Sequence, residues 1–191
     1  MPSIRSATIL AGGENLRFPY IKSFIKVDNT SIIERNLSLL KEIFDEIFIN
    51  TNIPDMYYYL DLPLIGDVIP SRGPMSGIYS SLINASADSV FIVACDMPFI
   101  RKDLIHFICK RHEETLRLKQ IDATIPIYDG RPQPLIGIYS KILISYLENA
   151  ILNNMTSLKR FLNEVKTNFI PETDIIMVDD GRSFVNINTP E

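Results

Sequence analysis

The sequence predicts an α/β fold in which the strands of a mainly parallel sheet alternate with helices along the chain. Short runs rich in Ile, Val and Phe have the composition of buried strands, at residues 7–10, 47–50, 89–94 and 123–127. The segments between them carry apolar residues at helical spacing. This alternation is typical of parallel strands joined by crossover helices. A chain of 191 residues is most simply one domain, 1–191, with one sizeable core.

Three helices of the first part of the chain are marked by start signals and apolar stripes. Ser31 and Glu34 have the spacing of a capping box, which predicts a helix start. Pro74 suits the first turn of a second helix, and a third is predicted over 102–116. The residues predicted to face the core from these helices are Ile33, Leu37, Leu40 and Phe44, then Ile78, Leu82 and Ala85, then Leu104, Ile105, Ile108 and Cys109.

The pattern changes after Pro126. Residues 128–132, Tyr-Asp-Gly-Arg-Pro, are a turn-rich connection, and 135–139 are predicted as a strand that returns against the sheet. Helices follow over 141–152 and 156–165, and a short last strand is predicted at 175–178. Two interpretations fit Arg131, Gln133 and Pro134: they could face a second substrate, or they could simply be exposed on the surface. The role of Arg182 is equally undecided.

Composition excludes several classes of partner. A net charge of -4 and a pI near 5.3 give no broad attraction for nucleic acid or for an anionic membrane. No apolar run approaches the roughly 18 residues of a membrane span, and residues 1–5 lack the core of a signal peptide. We therefore expect a soluble, cytoplasmic protein.

The cysteines and histidines do not have the spacing of reactive sites. Cys95 and Cys109 are too few for a disulfide framework and are not in a metal-binding spacing, so we expect buried, reduced thiols and no zinc. His106 and His112 are six residues apart on the third predicted helix, which does not place them on one face. We interpret them as solvated or packed rather than catalytic.

A glycine pair follows the first predicted strand. The sequence Leu10, Ala11, Gly12, Gly13 is followed by Arg17 and Lys22. Glycines let backbone N–H groups approach a ligand closely, and the two cations supply the charge that a polyphosphate requires. The pattern indicates a phosphate cradle; the alternative is a tight turn with two solvated cations.

Other polar residues are predicted at the same edge of the sheet. Asn50 ends the second strand, and Asp96 follows the third. Asp67 precedes a glycine-rich turn from Gly73 to Gly77, Gly-Pro-Met-Ser-Gly, which opens a helix. Each could serve only as a cap or a turn. Ligands of open α/β sheets, however, bind outside the carboxyl ends of the strands, and these residues converge there.

Asp96 is the residue most suited to a metal ion. A carboxylate oxygen is a ligand that Mg²⁺ prefers, and one or two protein oxygens suffice when phosphates supply the rest. Asn186 and Asn188 flank Ile187 and point to one side if the segment is extended. They are candidates for a second oxygen donor, and otherwise they are turn formers.

Together these motifs resemble the molybdenum cofactor guanylyltransferases, the enzymes that make molybdopterin guanine dinucleotide. The shared pieces are Leu-Ala-Gly-Gly at 10–13 with Arg17 and Lys22, Gly-Pro-Met-Ser-Gly at 73–77, Cys-Asp-Met-Pro at 95–98 and Val-Asn-Ile-Asn-Thr-Pro-Glu at 185–191. The resemblance implies a Rossmann-like three-layer sandwich of the nucleotide-diphospho-sugar transferase type. It also implies Mg²⁺ as cofactor and the transfer of GMP from GTP to molybdenum-bound molybdopterin.

The resemblance assigns roles to residues of this chain. Nucleotide-binding positions would lie mainly before about residue 100, with the acceptor substrate on the remainder. Asp96 would be the magnesium ligand, Arg17 and Lys22 would act on the triphosphate, and Asn186 or Asn188 would support the metal or the second substrate. The implied nucleotide-binding positions are Leu10, Ala11, Gly12, Gly13, Lys22, Asn50, Asp67, Gly73, Gly77 and Asp96.

The chain departs from the family pattern between its two early cations. Phe-Pro-Tyr-Ile separates Arg17 from Lys22, where the family has Met-Gly-Gly and an aspartate, so Lys26 is a rival for the role of Lys22. The chain also ends at Glu191, where relatives continue into a helix. The alternatives are a cytidylyl- or sugar-phosphate nucleotidyltransferase and a non-catalytic nucleotide- or cofactor-binding module. Further implied partners are molybdoenzyme-specific chaperones and other cofactor-biosynthesis proteins.

Overall fold

One sheet organises the chain in the computed structural model, which describes residues 4–12, 22–69 and 73–187. Across it the strands run in the order β10-β7-β9-β6-β1-β4-β5, with β8 beside β7, while β2 and β3 form a separate hairpin. The strands are β1 (Ser6–Leu10), β2 (Lys26–Val27), β3 (Thr30–Ser31), β4 (Glu46–Asn50), β5 (Leu64–Ile65), β6 (Ser89–Ala94), β7 (Ala123–Tyr128), β8 (Arg131–Pro132), β9 (Ile136–Ser140) and β10 (Thr167–Ile170).

The sheet is mainly parallel, as predicted. Strand β1 pairs in parallel with β4 and β6, β4 pairs with β5, and β7 pairs with β10. The returning strand predicted near 135–139 is β9, which lies antiparallel between β6 and β7. In the parallel registers Leu10 lies opposite both Asn50 and Ala94. Three strands therefore end side by side at one edge.

Helices cover both faces of the sheet. They are α1 (Ile32–Lys41), α2 (Met75–Asn84), α3 (Lys102–Leu118), α4 (Ile144–Leu152), α5 (Leu158–Glu164) and α6 (Glu172–Ile175). Apolar residues of α1, α3 and α6 join one buried cluster, and those of α2, α4 and α5 join another on the opposite face. Side chains of β6 alternate between them, because Phe91 lies in the first cluster and Ile92 in the second. The predicted three-layer sandwich is confirmed.

The predicted helix signals are confirmed in the first part of the chain. The Ser31 hydroxyl accepts from the Glu34 N–H, and the Glu34 carboxylate accepts from the Ser31 N–H, which completes the capping box of α1. All of the residues predicted to face the core from α1, α2 and α3 are buried. None of the helices within the described ranges is long and apolar enough to cross a membrane.

The strand predicted at 175–178 is wrong. Ile175 ends the short helix α6, whose first turn follows Pro171, and the Ile175 N–H donates to the Pro171 carbonyl at 3.2 Å. Only Ile175 of this apolar run is buried, whereas Ile176 and Met177 are exposed. The run is therefore a helix end and a turn that expose two apolar side chains. Sequence reasoning missed β10 and the two-residue strands β2, β3, β5 and β8.

Both cysteines are buried, as predicted. Burial raises the pKa of the Cys95 thiol to about 12 and that of the Cys109 thiol to about 12. Both thiols are therefore protonated at neutral pH and behave as small apolar groups.

The two histidines of α3 differ in their surroundings. His106 is exposed, whereas His112 is buried, with Nδ1 2.9 Å from the Thr124 hydroxyl and Nε2 3.5 Å from the Ser89 hydroxyl. Burial lowers the pKa of His112 from 6.5 to about 4, against a smaller opposite effect of Glu113. His112 is thus a neutral residue of the core, which agrees with its interpretation as packed rather than catalytic.

We predict that His112 makes the fold less stable in acid. Its imidazole takes up a proton near its ordinary pKa in the unfolded chain but only near pH 4 in the folded one. The unfolded state therefore binds more protons between these values, and the free energy of unfolding falls as the pH drops through them. The loss amounts to a few kcal/mol, on the order of 3, at about pH 4.

Urea unfolding at a series of pH values between about 7 and 4 measures this effect. His112→Gln should remove that share of the pH dependence, whatever its effect on stability at neutral pH. His106→Gln, which changes an exposed histidine of the same helix, should keep the original slope. Equal slopes for His112→Gln and the unmodified protein would contradict the prediction.

Candidate active site

The carboxyl ends of β1, β4 and β6 are tied together by backbone hydrogen bonds that continue past the strands. The Ala11 N–H donates to the Asn50 carbonyl at 2.8 Å, and the Cys95 N–H donates to the Leu10 carbonyl at 3.0 Å. This edge is where ligands of such sheets bind. The sheet uses the amide of Ala11, so a phosphate cradle of backbone amides would begin at Gly12.

Lys22 and Asp96 meet at this edge although they are 74 residues apart in the sequence. The Lys22 Nζ lies 3.4 Å from Asp96 Oδ2, and the two side chains are 18% and 12% exposed. Asp96 follows the buried strand β6 by two residues. Lys22 begins a short 3-10 helix that ends at Phe24. Asp96 was predicted at the carboxyl edge and Lys22 after the glycine pair that follows β1, and the fold brings the two together at this edge.

The turn that carries Lys22 is anchored by a buried tyrosine. The Ser23 hydroxyl lies 2.8 Å from the Tyr57 hydroxyl, and the Phe24 ring stacks on the Tyr57 ring with centroids 5.2 Å apart. Ser23 and Tyr57 are both 0% exposed. Burial raises the pKa of Tyr57 to about 12, so its hydroxyl stays protonated and can donate a hydrogen bond to the Ser23 hydroxyl. These contacts fix the backbone next to Lys22.

A second polar group forms where β4 and β5 end. The Asn50 Nδ2 donates to Asp67 Oδ1 and to the Ile65 carbonyl, each at 3.2 Å. The Asn52 Nδ2 donates to Asp67 Oδ2 at 2.9 Å, and the Asp67 N–H donates back to Asn52 Oδ1 at 3.0 Å. Asn50 is buried, and Asp67 is half-buried. Asn50 and Asp67, two of the predicted nucleotide-binding positions, are therefore in direct contact.

The first turn of α2 packs against this group through a glycine. A Cβ on Gly77 would lie 2.5 Å from Asn50 Oδ1 and 3.0 Å from the Leu10 Cδ2, so a larger residue would displace one of them. Gly73 has φ of 107°, a conformation that favours glycine. The Gly-Pro-Met-Ser-Gly turn thus allows the start of α2 to approach the end of β4 closely.

The chain end returns to the same edge. The Ile187 N–H donates to the backbone carbonyl of Asp96 at 3.0 Å. Ser183 anchors this return, because its hydroxyl donates to Asp179 Oδ2 at 2.5 Å and accepts from the Arg101 N–H at 3.1 Å. Asn186 precedes Ile187 and is exposed. Its neighbour Ile187 thus brings it close to Asp96. Among the described residues, no side-chain hydrogen bond joins Asn186 to Asp96.

Some predicted site residues remain without a structural description. Gly13, Arg17 and Asn188 lie outside the described residues, so their roles stay predictions. Lys26, the rival of Lys22, is exposed on the separate hairpin.

Of the ambiguous residues near the second half of the sheet, Gln133 has a structural role. Its side chain donates to the Tyr128 carbonyl at 3.1 Å and to the Arg131 carbonyl at 3.4 Å. The Pro134 carbonyl accepts from the Tyr139 hydroxyl at 2.6 Å. These contacts brace the connection between β7 and β9.

Sequence reasoning missed three residues that support the site. Asn52 had a signal, since it stands two residues after Asn50 at the end of a strand. Ser23 and Tyr57 had none, because they are 34 residues apart and meet only in the folded chain.

The described part of the site contains few titratable groups. Within residues 4–12, 22–69 and 73–187, no group of three or more His, Cys, Asp or Glu side chains could hold a metal ion. Asp96 is instead a single carboxylate beside a cation, and Asp67 is a single carboxylate beside amides. Such a site can bind a phosphorylated ligand by charge and hydrogen bonds, and it offers no histidine as a general base.

Comparison with known proteins gives a consistent result. A probable molybdenum cofactor guanylyltransferase from Clostridium perfringens (strain 13 / Type A) is 36% identical over 190 residues, which cover 97% of this chain and 92% of the relative. The molybdenum cofactor guanylyltransferase of Syntrophotalea carbinolica is 32% identical over 187 residues, with coverage of 97% and 87%. The solved structure of molybdopterin-guanine dinucleotide biosynthesis protein A from Archaeoglobus fulgidus has a TM-score of 0.82 at 25% identity, covering 97% of this chain and 93% of that one.

The family profile of the MobA-like NTP transferase domain matches residues 7–168. That range runs from Ala7 of β1 to Asn168 of β10, and so it includes Lys22, Asn50, Asp67 and Asp96. The fold is of the nucleotide-diphospho-sugar transferase type, and the resemblance read from the motifs is confirmed. In sequence and in three-dimensional structure, this chain belongs to the MobA-like NTP transferase domain family.

Proposed function

We propose that this protein transfers GMP from GTP to the terminal phosphate of molybdenum-bound molybdopterin, which yields molybdopterin guanine dinucleotide and pyrophosphate. The observation that carries the proposal is the meeting of Lys22 and Asp96 at the carboxyl end of β6. A cation and a carboxylate at this edge suit a triphosphate and its counterion. The names of the relatives supply the identity of the two substrates.

The nucleotide would bind across the ends of β1, β4 and β6. In this proposal the loop from Leu10 through Gly12 lies under the phosphates, and Gly73 and Gly77 allow the start of α2 to approach. Asn50 and Asp67 would then contact the nucleoside, since their contact lies beyond the ends of β4 and β5. Guanine and ribose both have donors from which a carboxylate can accept hydrogen bonds.

The chemistry would be an in-line displacement at phosphorus. An oxygen of the acceptor phosphate forms a bond to the α-phosphorus of GTP, and the bond from that phosphorus to the β-phosphate oxygen breaks. Pyrophosphate carries away the electron pair. A phosphate monoester has about 1.5 to 2 negative charges at neutral pH, so no proton has to be removed from the nucleophile. This agrees with the positions of His106 and His112, one exposed and the other bound to Thr124 in the core.

Lys22 would neutralise charge on the triphosphate as the reaction proceeds. The 3.4 Å separation from Asp96 is long for a charge-assisted hydrogen bond, which is about 2.7–2.9 Å. A lysine ammonium has three N–H donors and turns easily. It can therefore direct a donor to a phosphate oxygen while it stays beside Asp96. We assign a similar role to Arg17, which precedes Lys22 by five positions in the sequence.

Asp96 would hold Mg²⁺ in this proposal. Mg²⁺ in nucleotide sites takes one or two carboxylates and fills its other positions with phosphate oxygens and water. A lone, largely buried carboxylate at the strand end fits that requirement. When bound, the ion offsets negative charge on the triphosphate. Asn186 is a candidate for support of the metal or of the acceptor, because Ile187 is hydrogen-bonded to the Asp96 backbone.

The acceptor substrate would occupy the side of the site formed by residues after about 100. We propose that other cofactor-biosynthesis proteins or molybdoenzyme-specific chaperones receive the product, since a guanylated cofactor must pass to an apoenzyme.

A transfer assay tests the proposed function. With Mg²⁺, GTP and molybdenum-bound molybdopterin, the protein should release pyrophosphate and form the guanine dinucleotide. CTP in place of GTP should give little product. The readouts are pyrophosphate release and chromatography of the dinucleotide.

Each alternative has its own outcome in this assay. Faster turnover with CTP would make the protein a cytidylyltransferase. Turnover only with a sugar phosphate as acceptor would make it a sugar-phosphate nucleotidyltransferase. Tight nucleotide binding without any pyrophosphate release would indicate a binding module on the same fold.

We predict that Lys22→Ala lowers kcat by roughly a hundredfold to a thousandfold, the typical cost of removing one donor that stabilises a transition state. The fold should remain intact, because Ser23 and Tyr57 anchor the turn independently of the lysine side chain. Steady-state turnover and a thermal unfolding curve measure the two effects.

Lys26→Ala is the matched control, since it removes an exposed lysine close in sequence. It should keep turnover within a few-fold of the original. Near-normal turnover in folded Lys22→Ala, together with a large loss in Lys26→Ala, would transfer the role to Lys26.

A further inference from the structure

The Asp67 carboxylate is held by two side-chain amides. Asn50 donates to one of its oxygens at 3.2 Å and Asn52 to the other at 2.9 Å. The bond from the Asp67 N–H to Asn52 Oδ1, at 3.0 Å, makes the contact with Asn52 reciprocal. The carboxylate is therefore fixed on both sides, and its plane is defined.

The two amides leave oxygen lone pairs of the Asp67 side chain available to accept further hydrogen bonds. Among the described residues, no Lys or Arg forms an ion pair with Asp67. A carboxylate has about four lone-pair sites, and the two amides occupy one site on each oxygen. Counting the contacts of the described residues, one acceptor site per oxygen remains, in a fixed direction.

Such a pair of acceptors matches a ligand with two adjacent hydrogen-bond donors. A nucleotide has that chemistry in two places, the two hydroxyls of its ribose and the N1–H and 2-amino group of guanine. Asp67 is half-buried, so its free side can receive them.

Asn52 controls this arrangement more than Asn50 does. The amide of Asn50 is shared with the Ile65 carbonyl, and its side chain is fixed beneath Gly77 as part of the packing between β4 and α2. Asn52 is exposed and makes both of its bonds to Asp67. A change at Asn52 would therefore free one oxygen of the carboxylate, Oδ2, while the bond from Asn50 and the packing of β4 against α2 remain.

We propose that Asn52 is a positioning residue for nucleotide binding. It holds the Asp67 carboxylate in the orientation that accepts hydrogen bonds from two adjacent donors of GTP. The inference rests on the proposed function for the identity of the nucleotide. Asn52 itself need not touch the ligand.

Calorimetry with GTP and turnover at saturating GTP test the proposal on three variants. Asn52→Ala should weaken GTP binding about tenfold, the usual effect of losing a hydrogen bond to a charged group, and should leave kcat within about twofold. Asn52→Asp should weaken binding further, because it places a second carboxylate where the 2.9 Å bond to Asp67 now lies. Asn168→Ala removes a comparable side-chain bond, to Thr115, at the opposite edge of the sheet. It should leave GTP affinity and kcat unchanged.

Two GTP analogues identify the donors that Asp67 accepts. ITP lacks the 2-amino group, and 2′-deoxy-GTP lacks one ribose hydroxyl. Asn52→Ala should penalise GTP more than the analogue that lacks the contacted donor. A reduced penalty with ITP would assign the contact to guanine, and a reduced penalty with 2′-deoxy-GTP would assign it to ribose.

Three results would overturn the positioning role while GTP turnover persists. They are GTP binding by Asn52→Ala equal to that of the unmodified protein, equal binding by Asn52→Ala and Asn52→Asp, and an equal penalty for GTP and both analogues. If the unmodified protein neither binds nor turns over GTP, the proposed function itself fails, and this inference fails with it.

Discussion

The site depends on the register of three parallel strands. Because β1 pairs with β4 and β6 so that Leu10 lies beside both Asn50 and Ala94, the three chains leave the sheet at the same level. The bonds from Ala11 to Asn50 and from Cys95 to Leu10 continue this alignment past the strands. A slip of one residue in either pair would turn every side chain of that strand to the other face. It would also move Asp96 or Asn50 away from the loop of Leu10 through Gly12.

From this edge the fold presents two carboxylates in different surroundings. Asp96 is next to the ammonium of Lys22, and Asp67 is held by the neutral amides of Asn50 and Asn52. A carboxylate beside a cation suits the charged part of a ligand, because the carboxylate can bind a metal ion and the cation can bind phosphates. A carboxylate held by amides keeps its capacity to accept hydrogen bonds from a nucleoside. In our proposal this difference divides the binding of GTP between its triphosphate and its nucleoside.

Much of this fold could be predicted because its signals are local. The apolar runs of β1, β4, β6 and β7, the capping box of α1 and the stripe of α3 each lie within one short segment. The strand predicted at 175–178 is wrong because Pro171 begins the helix α6, which takes in the first residue of this apolar run. The edge strand β10 was missed because it is short and only partly buried, so it lacks the apolar run of a buried strand.

The site was predictable where a residue follows directly from a strand end. Asp96 and Asn50 could be placed at the carboxyl edge by their position after β6 and at the end of β4. Gly73 and Gly77 could be placed at the start of α2 by their spacing. The contacts of Lys22 with Asp96 and of Ser23 with Tyr57 join distant segments, so no local pattern predicts their geometry. The roles of Gly13, Arg17 and Asn188 stay predictions, because these residues lie outside the part of the chain that the structure describes.

Calorimetry of GTP binding with and without Mg²⁺, on the unmodified protein and on Asp96→Asn, tests the role of Asp96 most directly. We expect Mg²⁺ to strengthen GTP binding to the unmodified protein at least about tenfold, and Asp96→Asn to lose this gain, because the amide is a weaker metal ligand than the carboxylate. Equal strengthening by Mg²⁺ in both proteins would contradict the assignment of Asp96 and with it the proposed arrangement of the site.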